Sequence, residues 1–195
     1  MKKKTKDKWK TVRILVVIVV LAGMLIGFYY YISHRTESDS GKNDVTVSQT
    51  QKVLLRNLET GYPPSPREVI KYYSEITQCF YNEEHTDKEL EKLALQIQKL
   101  YADELISNQT QEEYLSNLKK DIETMKADKC EVSSFSPSAS TDVEYYTEDG
   151  YNWAKLYCIY NIRQETKILT TNEVFLLQQD ADKHWKIYGW KIASK

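Results

Sequence analysis

The chain has 195 residues, a formal charge of −1 and 41% hydrophobic residues, with only six Gly, four Pro and three Cys. That length accommodates one ordinary domain with appendages. The composition excludes a collagen-like or low-complexity chain and a disulfide scaffold. The near-neutral total is a sum of opposites. Residues 1–13 hold seven of the 27 basic residues and one of the 28 acids, a net of +6, which leaves −7 for the remainder.

Residues 14–32 read ILVVIVVLAGMLIGFYYYI, without a charge. As a helix they extend roughly 28 Å, close to the thickness of a bilayer hydrocarbon core. Trp9 lies before one end and Tyr29, Tyr30 and Tyr31 close the other, as an aromatic belt does. The basic flank puts the N-terminus in the cytoplasm and the rest of the chain outside. A cleaved signal peptide fits less well, because its apolar region is shorter and small residues follow it, whereas this run ends in Phe28-Tyr29-Tyr30-Tyr31. A buried core helix would show a polar face, and this run has none. The expectation is a single-pass anchor in the cell membrane, with membrane lipid as its partner. Lysines beside such a run set topology and contact anionic lipid rather than nucleic acid.

Residues 33–64 read as a polar linker and a short lead-in helix over 45–60. Val47, Leu54, Leu55 and Leu58 form its stripe and Gly61 follows as its C-terminal stop. Tyr62-Pro63-Pro64-Ser65 forces an extended break. Its P-x-x-P pattern is explained by a stiff connector with Pro66 opening a helix. Three helices follow, each with an S/T-x-x-E start: Ser65–Glu68, Thr86–Glu89 and Thr110–Glu113. The first carries Val69, Tyr72, Tyr73, Ile76 and Phe80 on one face. The second carries Leu90, Leu93, Ala94, Ile97, Leu100, Tyr101 and Leu105. The third carries Tyr114, Leu115, Leu118, Ile122 and Met125. Each must bury its stripe.

Beyond residue 128 the period changes. Residues 129–139 and 143–146 read as short strands, and Glu148-Asp149-Gly150 as a hairpin signal. Residues 153–163 alternate, with Ala154, Leu156, Cys158, Tyr160 and Ile162 on the apolar face. A turn at 164–166, a strand over 168–179, a turn at 180–183 and a strand over 184–192 complete an antiparallel series. Helices followed by strands imply an α+β domain over 65–195, with helices on one face of a curved sheet.

That order resembles the nuclear-transport-factor-2-like fold, a cone of curved sheet closed by helices. Glu173–Leu177, the following turn and Trp185–Trp190 are similar to its last hairpin. With residues 14–32, the expected fold class is α+β with one transmembrane helix, then helices on a curved antiparallel sheet. The whole chain resembles a group of uncharacterised single-pass membrane proteins from Gram-positive anaerobes, most closely in Tyr62-Pro63-Pro64-Ser65-Pro66-Arg67-Glu68-Val69. The fold resemblance implies isomerases, dehydratases or non-catalytic modules alike, so it decides no activity.

Catalytic signals are sparse. Tyr72, Tyr73, Tyr157, Tyr160 and Trp190 are the residues able to line a cone, and a Tyr at such spacing is far more often core than catalyst. Of these, Tyr73, Tyr160 and Trp190 are the candidate binding residues. His34, His85 and His184 lie in linker, loop and strand start, and no HExxH, HxH or CxxC occurs, so no metal or cofactor is expected. The acidic loop Glu83-Glu84-His85-Thr86-Asp87 reads as solvated, and Asp180 and Asp182 lack the rest of a calcium loop. Cys79, Cys130 and Cys158 permit one disulfide, with Cys79–Cys158 conceivable, but buried thiols are the simpler reading. Asn108-Gln109-Thr110 matches a glycosylation sequon, relevant only in a eukaryotic secretory pathway. The expected function is a non-catalytic extracytoplasmic module that binds envelope proteins, a wall polymer or a small ligand. The alternatives are a structural subunit of a secretion- or conjugation-like envelope complex, or an enzyme acting on a small hydrophobic substrate in the cone.

Overall fold

The computed structural model describes residues 48–193. They belong to one compact unit. The helices are α1 (Gln49–Leu54), α2 (Pro66–Asn82), α3 (Asp87–Gln98), α4 (Asp103–Ile106) and α5 (Gln111–Ala127). The strands are β1 (Cys130–Pro137), β2 (Glu144–Glu148), β3 (Tyr151–Gln164), β4 (Lys167–Gln179) and β5 (Trp185–Ile192). All strand pairs are antiparallel, in the order β1-β3-β4-β5, with β2 also beside β3.

The expected architecture is corrected here. The described residues form an α+β domain of helices and an antiparallel sheet, and no helix among them is long and apolar enough to cross a membrane. The anchor expected at residues 14–32 lies outside the described residues. The tail at 1–13 and the linker up to residue 47 lie outside them too. The strands also differ from a simple meander. β1 and β2 do not pair with each other. β1 runs along residues 158–164 of β3 and β2 along residues 151–155, so together they form one interrupted edge, joined through a 3-10 turn at Ser140–Asp142.

Helix starts follow local chemistry. Thr86 and Thr110 each accept from the backbone N–H three residues on, while Glu89 and Glu113 reach back to the cap backbone N–H. Ser65 accepts from the Glu68 N–H, but the Glu68 carboxylate turns to Arg67 and Lys71 instead. An unanticipated capping box at Ser48 and Gln51 opens α1. This helix is much shorter than the expected 45–60. It ends at Leu54, leaves Leu55 exposed and buries Leu58, and Gly61 bonds to the Asn57 carbonyl in a separate turn.

The second expected helix also stops early. After Gln98 the chain straightens so that Leu100 accepts from the Ile187 N–H (2.7 Å) and Ala102 donates to the Ile187 carbonyl (2.9 Å). Leu105 consequently belongs to the separate turn α4. This bridge covers the free edge at β5. At the opposite edge Asn82 does the same work. Its side-chain amide accepts from the Val132 N–H and donates to the Val132 carbonyl, both at 2.9 Å, next to a register shift in β1. Unpaired edge groups invite pairing with other chains, and both devices remove some of them.

The core lies between α2, α3, α5 and one sheet face. Val69, Ile76, Leu93, Leu100, Leu156, Phe175, Leu177 and Ile187 are fully buried. The alternation expected for β3 holds for Ala154, Leu156, Cys158 and Tyr160, all buried. Asp149 and Gly150 both adopt positive φ, 50° and 81°, the conformation a two-residue hairpin requires.

Candidate functional site

Seven buried or half-buried tyrosines contact the core, and apart from Tyr160 their hydroxyls divide them into two groups. Tyr62 donates to the Trp185 carbonyl (2.9 Å) and Tyr72 to the Val53 carbonyl (2.7 Å). These hydroxyls are spent on holding the chain. Tyr73, Tyr81, Tyr101 and Tyr114 differ: among the described residues none of their hydroxyls is given to a backbone carbonyl. They converge on one cavity of about 230 Å³.

Four parts of the chain build this cavity. α2 supplies Tyr73, Thr77, Phe80 and Tyr81, which helical spacing places along one side. α5 supplies Tyr114, Asn117, Leu118 and Asp121 in the same way. Gln98 at the end of α3, Tyr101 beyond it, Leu105 and Ile106 of α4 and Gln109 form a further wall, and β5 contributes Trp190. Tyr73, Tyr101 and Trp190 form one aromatic corner, with ring centroids 5.6–6.3 Å apart and inclined at 33–56°. Phe175 supports that corner, edge-on to Tyr73 at 5.4 Å and stacked on Trp190 at 6.1 Å. Separations in this range are the favourable ones for aromatic pairs.

Burial governs the electrostatics. It pushes the Tyr81 phenol up to about 12, with Asp121 and Tyr114 adding to the effect. Burial likewise holds Tyr73 and Tyr101 well above the ordinary phenol value and raises Tyr114. At neutral pH all four are neutral O–H groups, suited to donating hydrogen bonds rather than to abstracting protons. Asp121, exposed on α5, is the one charged residue in the lining. Glu173 adds a second carboxyl nearby. It lies on the core side of β4, opposite Cys158 and Ile192, and burial raises its pKa. Its charge in turn raises the pKa of Tyr73 and Tyr81.

Two of the three candidate binding residues meet here. Tyr73 and Trp190 share the aromatic corner, Tyr73 buried and Trp190 41% exposed. Tyr160 does not join them in the lining. Its hydroxyl is 2.6 Å from the Ser74 Oγ, in a buried contact that also includes Cys158. Tyr157 lies on the other sheet face beside Lys155. Cys79, Cys130 and Cys158 are all free, the first and last buried. Among the described residues no cluster of His, Cys, Asp and Glu is arranged to hold a metal. Tyr81, Tyr101, Tyr114, Asp121 and Glu173 are additions to the expected set. Glu173 was detectable: it shares the alternation of Phe175 and Leu177 and so falls on their buried face.

Larger hollows exist, and in one of them several polar groups are engaged in holding the fold. One of about 580 Å³ beside α1 and α2 is lined by Gln78, Asn82 and Glu83. Gln78 and Asn82 are bonded to Val132, and Glu83 accepts from the backbone N–H groups of Gln49 and Thr50.

The chain belongs to a family described as a domain of unknown function, DUF6715, whose model matches residues 1–190. No curated protein matches it.

Proposed function

We propose that this chain is a membrane-tethered extracytoplasmic module that binds rather than catalyses, and that it takes a small ligand or ligand-bearing group into the tyrosine cavity. The observation that carries this reading is the division of the tyrosines. Among the described residues four phenols in one cavity are held neutral and give no hydrogen bond to a backbone carbonyl, while Tyr62 and Tyr72 are tied to the chain. Such a lining offers apolar area and a few convergent donors, as binding pockets do. The protonated state of its phenols favours recognition over proton abstraction. Tethering and orientation rest on the sequence: the uncharged run at 14–32 and the +6 tail before it.

A second reading, a structural subunit of an envelope complex, is favoured by the sheet face turned away from the helices. There Tyr146 stacks on Trp153 at 6.5 Å and Trp153 meets Tyr188 edge-on at 5.1 Å. Ile159 and Ile168 are exposed beyond them. Exposed aromatic and aliphatic groups along one sheet face suit a protein interface.

Two measurements test the first reading. In a Cys130→Ser background, Lys195→Cys is expected to react with an impermeant maleimide on intact cells; protection until lysis would overturn the outward orientation. A thermal-shift screen of small soluble fragments against the full chain is expected to find ligands whose effect is lost in Trp190→Leu and Tyr114→Leu but kept in Tyr160→Phe. Hits indifferent to the first two substitutions would overturn the assignment of the cavity.

A further inference from the structure

The tyrosine cavity differs from three other hollows among the described residues in having no basic residue in its lining. Those three carry bases: Lys52 and Arg56 beside Glu75 and Glu83 in one, Lys92 and Lys99 in another, Lys126 and Lys129 among Glu83, Glu84 and Glu131 in the third. The tyrosine cavity carries none. Its one charged lining residue is the carboxylate of Asp121, and Glu173 stands behind the aromatic corner on β4. We propose that this cavity recognises an organic cation, an alkylammonium group, through the rings of Tyr73, Tyr101, Tyr114 and Trp190 and the carboxylate of Asp121.

Three physical arguments support this class of ligand. The face of an aromatic ring carries negative potential, which attracts a cation and does nothing comparable for a neutral or anionic group. Here the rings meet as inclined walls, 33–56° apart, so a rounded group in the corner faces more than one of them. A bare inorganic cation would have to shed water that phenols and rings replace poorly, whereas an alkylated ammonium is weakly hydrated and presents methyl groups to the walls. Finally, a cavity of about 230 Å³ is smaller than the pockets that hold drug-sized molecules and suits a single head group. A soluble quaternary ammonium compound and the head group of a choline lipid present the same chemistry.

The proposal rests on the reading of the cavity as a binding site, and the probes separate the two. The full chain, held in an uncharged detergent, is titrated calorimetrically with choline, with glycerophosphocholine and with 3,3-dimethylbutan-1-ol, the neutral isostere of choline. Choline is expected to bind about tenfold more tightly than the neutral alcohol. Asp121→Asn, an exposed change that leaves the core untouched, is expected to weaken choline several-fold and leave the alcohol unaltered. Tyr114→Phe is expected to retain choline binding and Tyr114→Leu to lose it, because the ring and not the hydroxyl holds the cation. Binding of choline in preference to glycerophosphocholine identifies a soluble quaternary ammonium compound as the source, and the reverse order a lipid head group; both support the cation site. Equal binding of choline and the alcohol, with no effect of Asp121→Asn, overturns the cation inference and leaves the binding module standing. Failure of all three probes to bind overturns the cation site outright.

Discussion

Replacing Tyr72 by Phe deletes one oxygen from a buried junction between the lead-in segment and the helices. That hydroxyl donates to the Val53 carbonyl at 2.7 Å and accepts from the Gln96 Nε2 at 2.9 Å. Nε2 also donates to the Arg56 carbonyl at 2.7 Å, and the Arg56 guanidinium lies 4.5 Å from the Tyr72 ring centroid. Both side chains are buried, Tyr72 at 2% and Gln96 at 8% exposure. In Tyr72→Phe the Val53 carbonyl keeps its backbone donor from Arg56, so the loss on that side is one net hydrogen bond, about 1 kcal/mol. On the other side one N–H of Gln96 is left buried without an acceptor, about another 1 kcal/mol. The expected destabilisation is therefore about 2 kcal/mol, or about 4–8 °C in Tm for a domain of this size. Gln96→Leu is expected to cost a similar amount. The double variant should cost about 1 kcal/mol less than the sum, since removing both partners leaves no stranded donor. Denaturant titration of the full chain, followed by far-UV circular dichroism, measures all three. Strict additivity, or a loss below about 0.5 kcal/mol for Tyr72→Phe, would refute the junction as a buried coupled network.

Gly150 sits at φ 81° in the β2–β3 hairpin with open space around it, so Gly150→Ala meets backbone strain and no steric clash. It is expected to lower stability by about 1 kcal/mol, read as a lower midpoint at unchanged m-value. Glu173 has its pKa raised by burial above the ordinary 4.5. Between those two values the native state holds the proton more tightly than the unfolded chain does, so stability falls as pH rises through that interval. Glu173→Gln is therefore expected to raise Tm at neutral pH, with the gain vanishing as pH approaches the ordinary carboxylate value; a pH-independent gain would show that burial of charge is not its cause. Burial pushes the Cys79 thiol up to about 11 and also raises Cys158, while Cys130 is partly accessible. Brief N-ethylmaleimide treatment at about pH 8 followed by peptide mass spectrometry is expected to modify Cys130 first, and the other two only after denaturation.

Local chemistry was written plainly in the chain. Thr86 and Thr110 cap their helices with the glutamates three residues on, because all the partners are within one turn. The faces carrying Val69, Tyr72, Tyr73, Ile76 and Phe80, and Leu90, Leu93, Ala94 and Ile97, are buried as their spacing requires. Asp149-Gly150 turns because Gly accepts a positive φ. The misjudged end of the second expected helix has a tertiary cause. The chain after Gln98 leaves the helix to pair with Ile187, so a partner far away in sequence prevails over local propensity.

The sequence by itself determined that three capped helices precede an alternating antiparallel series, which residues face the core, and that the charge divides between a basic tail and an acidic remainder. Only the tertiary structure decided which tyrosines are structural and which are available. Tyr160 and Tyr73 have equal claims by periodicity, yet one meets the Ser74 hydroxyl while the other opens onto a cavity shared with Tyr101, Tyr114 and Trp190. Periodicity reports the face on which a side chain leaves its own element. What the hydroxyl then encounters depends on how distant elements pack, and no local spacing encodes that.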